Sequence, residues 1–182
     1  PVNHWPDAED TEIASFERLN AEAFMVNERL FPVQAAAVAA YEQVGGGIFP
    51  IGVGHGKSGI SLMIAQIAYN SGIRRIMLLV PVQLVNGLLN RHIPEWRRRV
   101  PFSLNVHVVA GLTSYERNQL ANSGAPGLYV VPYSFLSVKD TMDFLIPIRP
   151  GLVIADEVHN LKNPRSARTN RFLHFMRQLE DE

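Results

Sequence analysis

Two short segments of this chain hold residue types and spacings suited to chemistry on a polyphosphate. The first is Gly52-Val53-Gly54-His55-Gly56-Lys57-Ser58. Phosphate oxygens must approach backbone N–H groups closely, and glycines leave the room and the conformational freedom for that approach. Lys57 then supplies a charge for the β- and γ-phosphates. Ser58 supplies a hydroxyl for Mg²⁺, and a following helix would aim its positive end at the anion.

The second segment is Leu152-Val153-Ile154-Ala155-Asp156-Glu157-Val158-His159. Four apolar residues deliver two carboxylates to the end of a strand, at the edge where parallel α/β sheets place their ligands. Asp156 is suited to hold Mg²⁺, directly or through water. Glu157 is suited to orient or deprotonate a water that attacks the terminal phosphate. Alone, an Asp-Glu pair is a weak signal. Placed about 100 residues after Gly-Lys-Ser, with strands and helices between, it gains specificity. The pair of segments predicts ATP with Mg²⁺ as the bound cofactors.

The elements that must position these groups follow an alternating pattern. Apolar runs at Gly47–Ile51, Ile76–Pro81, Val106–Ala110, Leu128–Val131 and Leu152–Ala155 read as buried strands. Helical spacing fills Lys57–Tyr69, Gln83–Asn90 and onward to Arg99, Ser114–Ala121, and Tyr133 to about Phe144. Pro32 is placed to open an earlier helix that Gly45-Gly46-Gly47 stops. This predicts a RecA-like α/β domain of the P-loop NTPase type, a parallel sheet with helices on both faces. Residues 1–28 read as an acidic N-terminal extension, and 29–182 as the nucleotide-binding domain.

Asp156-Glu157-Val158-His159 is a DExH box and resembles that of superfamily 2 helicases and translocases. Its continuation, Asn160-Leu161-Lys162-Asn163, resembles the Swi/Snf-type ATPases. Phe31-Pro32-Val33-Gln34 is similar to their "Arg-Pro-Tyr-Gln" opening, which implies an adenine contact for Gln34. Leu78-Leu79-Val80-Pro81 with Leu84 and Trp96 is similar to motif Ia. Val130-Val131-Pro132-Tyr133-Ser134-Phe135-Leu136 is similar to the strand carrying motif Ib. Ile51, where the general loop has glycine, matches the helicase version of the phosphate loop.

The resemblance covers roughly residues 30–176. It implies the first motor lobe of a nucleic-acid-dependent ATP hydrolase, with Lys57, Asp156 and Glu157 as catalytic groups. A strand-separating DExH helicase of DNA or RNA is the second reading, and a catalytically silent nucleotide-binding scaffold module the third. The family's second RecA-like lobe, with its arginine fingers, is expected outside this chain, so ATP turnover by the chain alone is expected to be poor. Double-stranded DNA is the first expected partner and RNA the second. Pro81, Gln83, Tyr133, Ser134, Lys162 and Asn163 occupy the matching nucleic-acid positions. His159 reads either as a link between the two sites or as a plain surface histidine. Arg97-Arg98-Arg99 reads as a solvated face or as added electrostatic affinity, and Trp96 as packing.

Bulk properties set the outer bounds. With 47% hydrophobic and 19% charged residues, the composition is that of a globular domain. The absence of cysteine excludes disulfides and thiolate metal sites. Residues 1–46 carry eight acids and two bases, the remainder nine acids and 15 bases, which leaves a basic body. The longest apolar stretch, Ile73 to Leu89, is interrupted by Arg74, Arg75, Pro81, Gln83 and Asn86, so no bilayer span is expected. No basic-then-apolar leader is visible. The expected location is cytoplasmic, nucleoid or nuclear, neither secreted nor membrane-bound.

Overall fold

The computed structural model describes residues 32–49, 57–99 and 102–180. The expected N-terminal extension, and Gly52 to Gly56 of the phosphate loop, lie outside them. The chain divides into two compact units. Of the described residues, 32–49, 57–64, 92–99, 102 and 103 belong to the first, and 65–91 with 104–180 to the second.

The second unit holds a four-stranded, all-parallel sheet in the order β2-β3-β1-β4. The strands are β1 (Arg75–Val80), β2 (Val106–Val108), β3 (Gly127–Pro132) and β4 (Leu152–Ala155). β1 and β3 are central, and five of six β1 residues and all six of β3 are buried. That is why both read as unbroken apolar runs, with neither face left for polar residues. Met77 and Leu79 share one face with Tyr129 and Val131. Above them pack Ala121, Leu136, Phe144, Leu145, Ile148 and Phe175, all buried. Ile76, Leu78, Val80, Leu128 and Val130 alternate to the opposite face and are buried too.

The helices of the chain include α1 (Pro32–Val44), α2 (Lys57–Asn70), α3 (Val82–Gly87), α4 (Ile93–Arg99), α5 (Ser114–Asn122), α6 (Met142–Leu145) and α7 (Ala167–Glu180). Of these, α5, α6 and α7 contribute to the core over the β1–β3 face. Thr113 starts α5 with a capping box: its hydroxyl accepts from the Glu116 N–H, and the Glu116 carboxylate accepts from the Thr113 N–H at 2.8 Å.

Three expectations change. The helix expected from Gln83 onward is split, with a π-helical segment at Leu88–His92 between α3 and α4. The helix expected over Tyr133–Phe144 is instead a series of short turns: 3₁₀ segments at Tyr133–Ser137 and Lys139–Thr141, then α6, then Ile146–Ile148. Val138 is extended (φ −103°, ψ 133°), a conformation suited to a β-branched residue, and it breaks the run. Pro147 has no N–H to continue a helix. Gly47, Ile48 and Phe49, expected to open a strand, are not in one, and Ile48 is 82% exposed. Pro50 and Ile51 lie outside the described residues. Among the described residues, no helix is long and apolar enough to cross a membrane.

Candidate active site

The parallel register brings three of the expected segments to one edge of the sheet. Val80 pairs with Pro132, and Leu79 with both Val131 and Ala155. The residues that follow, Pro81, Tyr133 and Asp156, therefore emerge side by side from the C-terminal ends of neighbouring strands. In a sheet of mixed direction those ends would point apart.

The Asp156–Glu157 backbone is held at several points. The Asp156 N–H donates to the Leu79 carbonyl at 2.9 Å, which carries the β1–β4 ladder one residue past the strand. The Asp156 carbonyl accepts from the Tyr133 hydroxyl at 2.8 Å. The Glu157 carbonyl accepts from the Asn160 backbone N–H at 3.0 Å and from its side-chain amide at 2.9 Å. Between these anchors Glu157 adopts the left-handed conformation (φ 55°, ψ 53°), uncommon for a residue with a Cβ. The turn follows β4 directly and starts the 3₁₀ segment Val158–Leu161. The Glu157 carboxylate is 28% exposed and lies 3.2 Å from Nδ1 of His159, which is 65% exposed.

Tyr133 was expected to touch nucleic acid, yet its side chain is 2% exposed and supports the acidic turn from within. Burial raises the pKa of its phenol, and the charges of Asp156 and Glu157 raise it further, against a smaller opposing effect of Arg168. The hydroxyl therefore stays protonated and stays a donor through neutral pH. Pro81 is buried as well and precedes α3. Gln83 and Ser134 are exposed and remain the groups of those two segments that a ligand can reach. Lys162 and Asn163 are both exposed, and the Asn163 carbonyl oxygen Oδ1 accepts from the Arg165 N–H at 3.0 Å, closing the loop before α7.

In the first unit, Lys57 and Ser58 open α2 and are half-buried. Gly59 follows because Trp96 needs the space. A Cβ there would sit 2.3 Å from the indole ring, so Trp96 is the packing residue its sequence context suggested. Gln34, in α1, is 7% exposed. Arg97 and Arg98 are exposed, and the Arg97 guanidinium stands 5.9 Å from the centre of the Phe102 ring.

The donor set bears on Mg²⁺. Among the described residues no three His, Asp or Glu side chains gather into a metal cage. One or two carboxylates at a strand end instead suit an ion that shares its shell with water and phosphate oxygens, as Mg²⁺ does in nucleotide sites. Asp156 fits that role.

Sequence reasoning missed Tyr133 and Asn160 as supports of the turn. Tyr133 carried a usable signal, an aromatic hydroxyl one residue past a fully apolar strand, since a buried phenol needs an acceptor. Asn160 had none beyond its proximity to the acids. No family model matches the chain, and no curated protein matches it in sequence.

Proposed function

We propose that this chain is the ATP-binding, RecA-like first lobe of a superfamily 2, Swi/Snf-like motor that hydrolyses ATP while moving on duplex nucleic acid. The observation that supports it most is the clamped Asp156–Glu157 turn at the C-terminal edge of an all-parallel sheet. In sequence, a glycine-rich Gly-Lys-Ser segment precedes that sheet and runs into α2.

On this reading Lys57 would neutralise phosphate charge, Ser58 and Asp156 are the candidate Mg²⁺ ligands, and Glu157 would position the attacking water. Mg²⁺ supplies charge stabilisation at the phosphates when bound. The chain's own contribution is positioning. Tyr133 and Asn160 fix the peptide that carries the two acids, so that neither has to be ordered at the moment of reaction. An arginine from a second lobe would complete the site, a contribution of about 10³–10⁵ in rate in related phosphoryl transfer.

The test is ATP binding and phosphate release by the protein carrying both lobes, with and without duplex DNA. Glu157→Gln should lower turnover by about 10²–10⁴ while ATP still binds. Loss of binding would remove Glu157 from its assigned role. Absence of any ATPase activity on DNA or RNA would reject the motor and favour the silent nucleotide-binding module.

A further inference from the structure

Thr169, in the first turn of α7, is a polar side chain only 6% exposed. A buried hydroxyl needs partners, and the partners of this one lead to the acidic turn. Its Oγ1–H donates to the Leu161 carbonyl at 3.1 Å. A hydroxyl has one proton, so the 2.9 Å contact between the Thr169 and Ser166 hydroxyls must take its proton from Ser166. Ser166 Oγ in turn accepts from the Thr169 N–H at 3.2 Å and so caps α7. The hydroxyl protons therefore run in one direction, from Ser166 to Thr169 to Leu161.

Leu161 ends the 3₁₀ segment that Glu157 begins. That segment is held at both ends, by Asn160 on the Glu157 carbonyl and by Thr169 on the Leu161 carbonyl. Both holds matter. A 3₁₀ turn has poor hydrogen-bond geometry of its own, and a left-handed residue with a Cβ persists only where its surroundings over-determine it. The base of the second hold is itself fixed. Phe175 of α7 is fully buried in the core, and the Arg171 Nη1–H donates to the Leu136 carbonyl at 3.1 Å. The Arg168 Nε–H donates to the Ser137 hydroxyl at 3.2 Å. Leu136 and Ser137 belong to the turn that carries Tyr133, whose hydroxyl holds the Asp156 carbonyl. One helix thus ties together the two turns that fix the acids.

We infer that Thr169 is a positioning residue for Glu157: its bond to Leu161, directed by Ser166, keeps the left-handed turn from relaxing and the carboxylate where a water is to be oriented. This rests on the water-positioning role proposed for Glu157 and extends it to a helix that reading did not include. Thr169 acts through the backbone alone. Its side chain is buried and its one proton is committed to Leu161, so it contacts no substrate.

The test is steady-state ATP hydrolysis by the protein carrying both lobes, with saturating duplex DNA. Thr169→Val keeps the shape of the side chain and removes the hydroxyl. It should lower kcat by about 10–10²-fold and leave the KM for ATP nearly unchanged. Thr169→Ser keeps the bond and should restore most of the rate. Tyr129→Phe is the control. It also removes a hydroxyl that donates to a backbone carbonyl, that of Ala125 at 2.6 Å, from a side chain in the same core. It should lower the melting temperature comparably and leave kcat unchanged. In Glu157→Gln protein, Thr169→Val should cost little further rate, because residues that act through one group are not additive. Circular dichroism confirms folding. Should Thr169→Val not fold, Ser166→Ala releases the same proton from its direction and is read in the same way, with a smaller loss. Wild-type kcat in Thr169→Val, equal kcat losses in Thr169→Val and Tyr129→Phe, or a full further loss in the Glu157→Gln background would each reduce Thr169 to a stability role. Any of these overturns the inference and leaves the motor reading intact. Wild-type protein without ATPase activity on DNA or RNA would overturn both.

Discussion

The two edges of the sheet share an architecture and differ in what they carry. β2 and β4 are short, half-buried, parallel to their neighbours and hydrogen-bonded one residue beyond each end. The β2 edge is closed by packing. The His107 and Tyr129 rings lie 4.8 Å apart, His107 Nε2 is 3.1 Å from the Pro126 carbonyl, and the strand runs out into buried Val109. The β4 edge runs out into two acids on a left-handed turn. Position at the C-terminal end of a parallel strand is thus common to both. Chemistry requires in addition the right side chains and a backbone fixed to present them.

Substitutions can break each edge separately. The largest effect is expected where β3 borders β2, from Gly127→Ala at the start of β3. Gly127 has φ +143°, and a Cβ there would sit 2.4 Å from the Asn105 carbonyl oxygen, which is backbone and cannot step aside. A loss of about 2–4 kcal/mol in denaturant unfolding is expected. If β2 is only a packing edge, the protein that remains folded should bind nucleotide normally.

Tyr133→Phe is the matching change at the β4 edge. It strands the Asp156 carbonyl and should cost about 1–2 kcal/mol of stability. Unlike the β2 change, it should also lower ATP turnover through loss of the turn's geometry. The two measurements together separate a stability edge from a catalytic edge. The same tyrosine gives a pH signature. Its folded pKa is raised, so its contribution is complete below the ordinary phenol value of 10.0 and is lost as pH climbs beyond it. Urea unfolding across that alkaline range should show a smaller decline for Tyr133→Phe than for wild type. Equal declines would mean that Tyr133 does not carry the effect.

The smallest change expected is Thr113→Ala at the start of α5, about 1 kcal/mol from loss of the cap. Its hydrogen bonds hold Glu116 below its ordinary carboxyl value, so that contribution is present above 4.5 and fades as pH falls. The wild-type advantage over Thr113→Ala should shrink in acid.

Much of the sheet was legible because its signal is local. Runs such as Ile76–Pro81 and Leu128–Val131 are apolar at every position, which only a strand buried on both faces requires. The acids at 156 and 157 were legible for the same reason, being the first polar residues after such a run. The breakup of Tyr133–Phe144 was less visible, since Phe135, Leu136, Phe144 and Leu145 still fall at helical spacing and only Val138 and Pro147 hint at interruption. The contact between Ser137 and Arg168 could not be read at all. Ser137 and Arg168 are 31 residues apart, and they meet only because α7 returns across the turn that follows β3.

The left-handed backbone at Glu157 sets stability against function. A side chain in that conformation carries about 1–2 kcal/mol of local strain that glycine would not. Glu157→Gly should therefore relieve that strain, and the change in melting temperature weighs the relief against the contacts the carboxylate gives up, the exposed one to His159 among them. A laboratory selection for heat resistance alone would drift toward glycine at this position. On the proposed function it would enrich hardier proteins that lack the water-positioning carboxylate, and sequencing the survivors would test whether the fold and the proposed chemistry pull this position in opposite directions.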